Sequence, residues 1–153
     1  MVNWDAKYSA ANELLYGDSP SGIVNRAIVG FSDRLGHVLC LGDGEGRQSR
    51  ALARHGFTVT ALDLSVVATQ RAREQDQKQG LVVNRLIADA AQPHYKSKYQ
   101  SGGPDQVDLL YDTDRLQAEL AGFSIVYQSC TEAVLDDGPG HQGLAQLTQM
   151  ICD

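Results

Sequence analysis

The sequence predicts an α/β fold, with a small sheet of three parallel strands joined by helices and then a C-terminal antiparallel hairpin. Three observations support this prediction. From residue 37 onward, short apolar runs alternate with amphipathic segments that end in glycine. The first three apolar runs are almost continuous, as in the strands of a parallel sheet. The last two are separated by turn residues instead of a helical segment, which is typical of a hairpin.

Length and composition are those of one soluble globular domain, residues 1–153. The chain has a net charge of −6 and 42% hydrophobic residues, enough for a core that needs no metal or disulfide. The acidic balance argues against a partner such as duplex nucleic acid. No apolar run is long enough to span a membrane, and the first residues lack a signal-peptide pattern. We therefore expect a cytoplasmic protein with no nucleic-acid or membrane partner.

The three cysteines, Cys40, Cys130 and Cys152, show no CxxC spacing. Their odd number and their places in strand-like runs indicate reduced thiols packed in the interior. A zinc site or a disulfide framework is not expected from this pattern. The sequence therefore predicts no metal.

Residues 37–90 form the regular part of the chain, a β-α-β-α-β unit. Its strands are “HVLCL”, “FTVTALDL” and “LVVNRLIADA”. The first helix closes at Gly56, at the usual position for a helix end. The second is capped by Ser65 and ends at Gly80. Because crossovers between parallel strands are right-handed, both helices are expected to cover the sheet.

The flanking regions are less regular. Residues 1–36 form a helical or irregular lead-in. Residues 91–106 are almost without aliphatic side chains, so they are expected to form a loop, one that is unusually long for a compact domain. In residues 107–153 we expect a short helix and then the hairpin, with “FSIVYQSC” and “LAQLTQMIC” as its strands.

The turn after the first strand, “LGDGEGR”, is the most informative motif. Its glycines allow positive φ and a close approach of a ligand to the backbone, and the next helix presents its N-terminal amides there. A dinucleotide-binding turn reads GxGxxG and a P-loop ends in GK[ST]; neither pattern is present. Asp43 and Glu45 would repel a pyrophosphate. They favour a ligand with a positive end, such as S-adenosylmethionine with its ammonium and sulfonium groups.

Acidic residues also end the next two strands. Asp63 ends the second strand about 20 residues after the first glycine, where a carboxylate accepts hydrogen bonds from ribose hydroxyls. Asp89 ends the third strand, where it can meet the amine of an adenine. The alternative interpretation is a purely structural turn with acids on the surface.

Six segments carry a resemblance that extends over most of the chain: “WDAKY”, “LLYG”, “VLCLGDGEGR”, “VTALDLS”, “SGGPDQVDLLYDTDRLQAEL” and “LDDGPGHQG”. Together, and in this order, they resemble the class I S-adenosylmethionine-dependent methyltransferases of the tellurite- and thiol-methylating type. The resemblance implies a Rossmann-like class I methyltransferase sheet with the cofactor across the strand ends. Cys40 stands where the family usually has an acid, and Gln48 where it has asparagine.

The resemblance also implies which residues hold the cofactor. Around the methionine moiety these are Gly42, Asp43, Gly44, Gly46 and Arg47. Asp63 and Leu64 would contact the ribose, and Asp89 and Ala90 the adenine. The N-terminal residues implied to close over the cofactor are Trp4, Tyr8 and Tyr16.

Relative to this family the chain is shortened, because the central fourth and fifth strands and their helices would fall where it has only the loop 91–106. The fold is then a minimal version of the class I sheet, with three parallel strands plus the hairpin. The first strand is left with an unpaired edge, which is costly unless something covers it. The hairpin or a second subunit could do so. We expect a symmetric homodimer, the commonest form of soluble homo-oligomer.

Two functions follow from these features. The first is a methyltransferase that acts on a small-molecule methyl acceptor; the second is a shortened, non-catalytic module for cofactor binding or interaction. Methyl transfer depends mainly on alignment and desolvation, so no residue is assigned as catalytic. His141, in the hairpin turn, comes near the active site by resemblance. A solvent-exposed turn histidine is the alternative.

Overall fold

The structure is a computed structural model. It describes residues 3–33, 35–88, 114, 117–118, 121–122, 124–136 and 142–152. The chain divides into two compact units, residues 3–91 and residues 92–153, and each is described by itself. That the whole chain forms a single domain stays a prediction.

The first unit alternates helices and strands. In chain order its elements are α1 (Trp4–Ala10), α2 (Gly22–Gly30), β1 (His37–Leu41), α3 (Arg47–Arg54), β2 (Thr58–Asp63), α4 (Val66–Gln79) and β3 (Asn84–Ile87). The strands pair in parallel in the order β1-β2-β3. The predicted β-α-β-α-β unit with a parallel sheet is confirmed, although β3 is shorter than the apolar run that predicted it.

The helix boundaries follow the local signals in the sequence. The Ser65 hydroxyl accepts a hydrogen bond from the backbone N–H of Ala68 at 3.0 Å and so caps α4. Gly80 ends the same helix in the left-handed conformation, with φ of 64°. The side chain of Asn3 caps α1 through the N–H of Ala6. Local hydrogen bonding thus explains why capping residues predict these ends.

The core of the first unit lies on one face of its sheet. Val38 and Val59 point to this face and pack with Leu52 of α3 and Ile28 of α2. On the opposite face the side chains are open to solvent, as shown by the exposed fractions of Leu39 (58%), Leu41 (57%) and Leu86 (45%). Within the described residues, β1 pairs only with β2. As far as the described residues show, the sheet therefore has an unpaired edge at β1 and an exposed apolar face.

The second unit contains β4 (Ile125–Asp136) and β5 (Gln142–Cys152), which pair antiparallel. The predicted hairpin is confirmed, with strands longer than the apolar runs. The predicted loop 91–106 and most of the predicted short helix lie outside the described residues. Among the helices of the described part, none is long and apolar enough to cross a membrane.

The expectation of buried cysteines holds only in part. Cys40 of β1 is half-buried. Cys130 is exposed, so the interpretation of it as an interior thiol is wrong. The physical reason is that a strand buries alternate residues only where another layer covers one of its faces.

Candidate functional site

The glycine turn, residues 42–46, joins β1 to α3 at the carboxyl edge of the sheet. It closes on itself through the N–H of Gly46, which donates to the carbonyl of Asp43 at 3.0 Å. Gly42, Gly44 and Gly46 all have positive φ, at 63°, 56° and 85°. Gly42 is exposed and residues 43–46 are buried, and the turn lies at the strand edge where α/β sheets bind their ligands.

Asp63 links this turn to the end of β2. One of its carboxylate oxygens accepts from the N–H of Gly44 at 2.7 Å, and the other accepts from the N–H of Ser65 at 2.7 Å. Leu64, beside it, is exposed. The predicted meeting of the glycine turn with the acid of the second strand is therefore present, with Leu64 at its rim.

The three N-terminal aromatic residues form one group, of which Tyr8 lies against the turn. Tyr8 is buried, and a Cβ placed on Gly44 would lie only 2.6 Å from its hydroxyl oxygen. Trp4 and Tyr16 flank the Tyr8 ring, with centroids 6.2 and 6.4 Å away. Burial raises the pKa of Tyr8 well above its ordinary value, reinforced by the nearby Asp63 carboxylate. Tyr8 therefore stays protonated and neutral beside the turn.

A carboxylate of α1 holds this aromatic group in place. Asp5 accepts from the hydroxyl of Ser65 at 2.6 Å and from the N–H of Val67 at 3.1 Å. The hydrogen bond from Ser65 lowers the pKa of Asp5, with help from the N–H of Val67. The first turn of α4 is thus tied to α1, and α1 carries Trp4 and Tyr8.

Asp43 points into the protein instead of toward a ligand. Its carboxylate accepts from the hydroxyl of Ser49 and, at 2.8 Å, from the guanidinium of Arg85. Arg85 also binds both carboxylate oxygens of Asp76, at 2.6 and 2.9 Å. Burial by itself would lower the pKa of Arg85, but the hydrogen bonds to Asp76 and Asp43 outweigh it and raise that pKa.

Glu45 is likewise buried and paired. Its carboxylate accepts from the N–H of Leu15 at 2.7 Å and from the guanidinium of Arg71 at 2.9 Å. The expectation that the two acids of the turn face a cationic ligand is therefore wrong. Arg85 of β3 pairs with Asp43 and Arg71 of α4 pairs with Glu45, so both charges are already balanced within the protein.

Residues 11–21, which we call the N-terminal strap, lie along the turn and α3. Arg71 donates to the carbonyl of Ala11 at 2.9 Å, and Arg47 donates to the carbonyl of Tyr16 at 2.9 Å. Further contacts join Arg50 to Asp18 (2.7 Å) and Gln48 to the N–H of Ser21 (3.0 Å). Arg47, predicted near the methionine moiety, thus fastens the strap, and that predicted role stays a prediction.

The remaining predicted residues are placed as follows. Asp89, Ala90 and His141 lie outside the described residues. Burial raises the pKa of Cys40 to about 12, helped by the nearby Asp43 carboxylate, so its thiol is neutral. A neutral group therefore stands in β1 where the resembling family has an acid.

Sequence reasoning missed the arginines that organise the site: Arg50, Arg71 and Arg85. A signal was available for Arg85, because it interrupts the apolar run of a strand expected to be buried. A charged residue in such a position needs a partner of opposite charge. Arg71 stands in a polar helical segment, “QRAREQDQKQ”, where nothing in the sequence separates it from solvent-exposed neighbours.

Comparisons with known proteins agree with this geometry. A family model for a methyltransferase domain matches residues 38–102, which include the glycine turn and Asp63. One similar structure comes from work on the conversion of a disulfide bond into a thioacetal group during echinomycin biosynthesis. It matches with a TM-score of 0.59 and 19% identity, over 97% of this chain and 89% of that one. TehB from Haemophilus influenzae matches with a TM-score of 0.62 and 16% identity, over 97% of this chain and 65% of that one.

A third match is an S-adenosylmethionine-dependent methyltransferase from Thiobacillus denitrificans in complex with S-adenosyl-L-homocysteine. It has a TM-score of 0.44 and 27% identity, over 64% of this chain and 40% of that one. No curated protein matches the sequence. Residues 38–102 thus match a methyltransferase-domain model, and the chain has a Rossmann-like α/β fold, as its motifs predict.

Proposed function

We propose that this protein binds S-adenosylmethionine at the carboxyl edge of its parallel sheet and transfers the methyl group to a small-molecule acceptor. The observation that carries the proposal is the contact between the glycine turn and Asp63, in which Gly44 donates to the carboxylate at 2.7 Å. This contact lies inside the segment matched by the methyltransferase domain model. The family match thus supports the cofactor predicted from the sequence.

The residues at this edge fit the cofactor. Each oxygen of Asp63 accepts one backbone N–H and keeps a further lone pair, which can accept a ribose hydroxyl. A Cβ on Gly42 would meet nothing within 4 Å, so the exposed start of the turn leaves room for a ligand. Leu64 offers an exposed apolar surface at the rim. Bound there, S-adenosylmethionine would supply an activated methyl group, while the turn and Asp63 would fix its orientation.

Replacing Asp63 with asparagine tests the cofactor site. We expect Asp63→Asn to weaken S-adenosylmethionine binding by about 10- to 100-fold, because hydrogen bonds to a charged acceptor contribute roughly 1.5–3 kcal/mol. Isothermal titration calorimetry measures the change. Glu74→Gln is the matched control, since Glu74 is exposed on α4 and contacts only the side chain of Gln70 among the described hydrogen bonds.

The same titration, followed by an assay for turnover, decides between the two functions predicted from the sequence. If the wild-type protein gives neither heat nor a thermal shift with S-adenosylmethionine, the cofactor proposal fails. Formation of S-adenosylhomocysteine with a panel of small thiols and oxyanions supports the enzyme. Tight binding without turnover on that panel supports the non-catalytic module.

We also propose that a second copy of the chain covers the open side of the first unit. Leu39 and Leu41 stand exposed on β1, whose outer edge has no strand partner among the described residues. An exposed apolar face next to an unpaired edge is the kind of surface that soluble proteins bury in an interface. This arrangement supports the homodimer expected from the sequence.

Sedimentation velocity at micromolar concentration tests the dimer. We expect a dimer for the wild-type protein and a monomer for Leu39→Asp, because a carboxylate on this face would be buried without a partner. Val82→Asp is the control, since Val82 is 90% exposed on the loop before β3. A wild-type monomer would contradict the proposal.

A further inference from the structure

Arg85 is the most connected buried charge of the first unit. It belongs to β3, yet its guanidinium reaches Asp76 of α4, Ser49 of α3 and Asp43 of the glycine turn. The side chains of Arg85 and Asp43 are 3% and 1% exposed. One side chain thus joins the turn to three other elements.

Stability alone does not explain such an arrangement. A buried ion pair pays a large desolvation penalty, and well-packed apolar residues of similar volume often stabilise a protein equally well. Buried charged networks are retained in several proteins because they specify one geometry among close alternatives. The geometry at stake here is that of the turn, since Asp43 immediately precedes Gly44, which donates to Asp63.

The turn also rests directly on the arginine. A Cβ on Gly46 would lie 2.5 Å from a terminal nitrogen of Arg85, so the backbone and the guanidinium are in close contact. Ser49, which Arg85 contacts at 3.0 Å, donates both its N–H and its hydroxyl to Asp43. Arg85 therefore supports both ends of the segment between Asp43 and Gly46.

We propose that Arg85 is a positioning residue, which holds the glycine turn in the backbone conformation that binds the cofactor. The part of this inference that concerns cofactor binding rests on the proposed function. The part that concerns the conformation of the turn does not. Arg85 acts through Asp43 and Ser49 and need not touch the ligand. Its partner Asp76 fixes the guanidinium from the opposite side through two hydrogen bonds.

The test uses the full chain and two substitutions, Arg85→Lys and Arg85→Met. Backbone amide shifts of Gly44 and Gly46, measured by NMR without ligand, report the conformation of the turn. Calorimetry with S-adenosylmethionine reports affinity. We expect Arg85→Met to move both amide signals and to weaken binding by about 10-fold, because part of the binding free energy would then be used in ordering the turn. Lysine keeps the positive charge but cannot make the two parallel hydrogen bonds of a guanidinium. Arg85→Lys should therefore give amide shifts and an affinity between those of the wild-type protein and Arg85→Met.

Arg54→Met is the control, because Arg54 is a partly exposed arginine of α3 that contacts Asp18 and Gln79. It should leave the turn amides unchanged. If Arg85→Met does not fold, Arg85→Lys decides. If the folded variant has the amide shifts of the wild-type protein and the same affinity for S-adenosylmethionine, the inference is overturned. If the wild-type protein binds no S-adenosylmethionine, the proposed cofactor is rejected. Shifted turn amides in Arg85→Met would then still support the role of Arg85 in positioning the turn.

Discussion

Gly46→Ala is expected to destabilise the first unit by about 3–5 kcal/mol, a large part of the stability of an ordinary domain. Two costs add. A residue with a side chain at φ of 85° is strained by about 1–3 kcal/mol. The new methyl group would also lie 2.5 Å from Arg85 and 2.8 Å from Arg50. Both guanidinium groups are held by carboxylates, so neither moves without breaking buried hydrogen bonds.

Two other glycines separate these costs. Gly42 has a φ of 63° but open space around its Cα, so Gly42→Ala should cost only the strain, about 1–2 kcal/mol. Gly30 ends α2 with no unusual φ and open space, and Gly30→Ala should be neutral or slightly stabilising, by up to about 1 kcal/mol. Urea unfolding followed by the fluorescence of Trp4, the single tryptophan, measures all three. If Gly46→Ala and Gly42→Ala lower the free energy of unfolding equally, the contacts with the two guanidinium groups do not contribute to the cost.

The fold of the first unit could be predicted because its signals are local. Ser65 and Gly80 mark the ends of α4 by hydrogen bonds that span three to five residues. The strands follow from apolar runs that need no knowledge of their partners. Even the contact between the glycine turn and Asp63 follows, because the carboxyl ends of neighbouring parallel strands meet at one edge. Periodicity and topology together therefore bring the glycine turn and Asp63 to the same edge of the sheet.

The direction of the acidic side chains could not be predicted in the same way. Asp43 is neutralised by Arg85, 42 positions along the chain, and Glu45 by Arg71, 26 positions along. A sequence read locally shows two carboxylates in a turn, and a cationic ligand is then a reasonable partner. The actual partners are set by tertiary packing. The proposed cofactor is supported by the domain match and by Asp63, not by the charges of the turn.

Glu45 provides the second large expected effect, because it holds the N-terminal strap. We expect Glu45→Ala to destabilise the first unit by about 1–4 kcal/mol. The buried N–H of Leu15 would lose its acceptor, which costs roughly 1–3 kcal/mol. The ion pair with Arg71 would add less, about 1 kcal/mol or below, because the Arg71 side chain is 30% exposed and its charge is screened by solvent.

The local consequence is more specific than the loss of stability. Without Glu45, hydrogen exchange of the strap should accelerate strongly, while exchange in β2 should change only with global stability. Glu45→Gln keeps an acceptor for the N–H of Leu15 and should protect the strap better than alanine. Arg71→Ala removes only the ion pair. A double-mutant cycle between Glu45→Ala and Arg71→Ala isolates their coupling.

The strap carries Tyr16 and packs beside Tyr8, so its release should also affect the cofactor site. Tyr8 and Leu15 share one buried cluster, against which Tyr16 and Trp4 pack. Loosening residues 11–21 should therefore weaken S-adenosylmethionine binding in Glu45→Ala more than in Arg71→Ala, in the order of their effects on strap exchange. Rapid strap exchange with unchanged affinity would show that the aromatic residues of the N-terminus have no part in binding. Unchanged protection of Leu15 in Glu45→Ala would instead contradict the role of Glu45 itself.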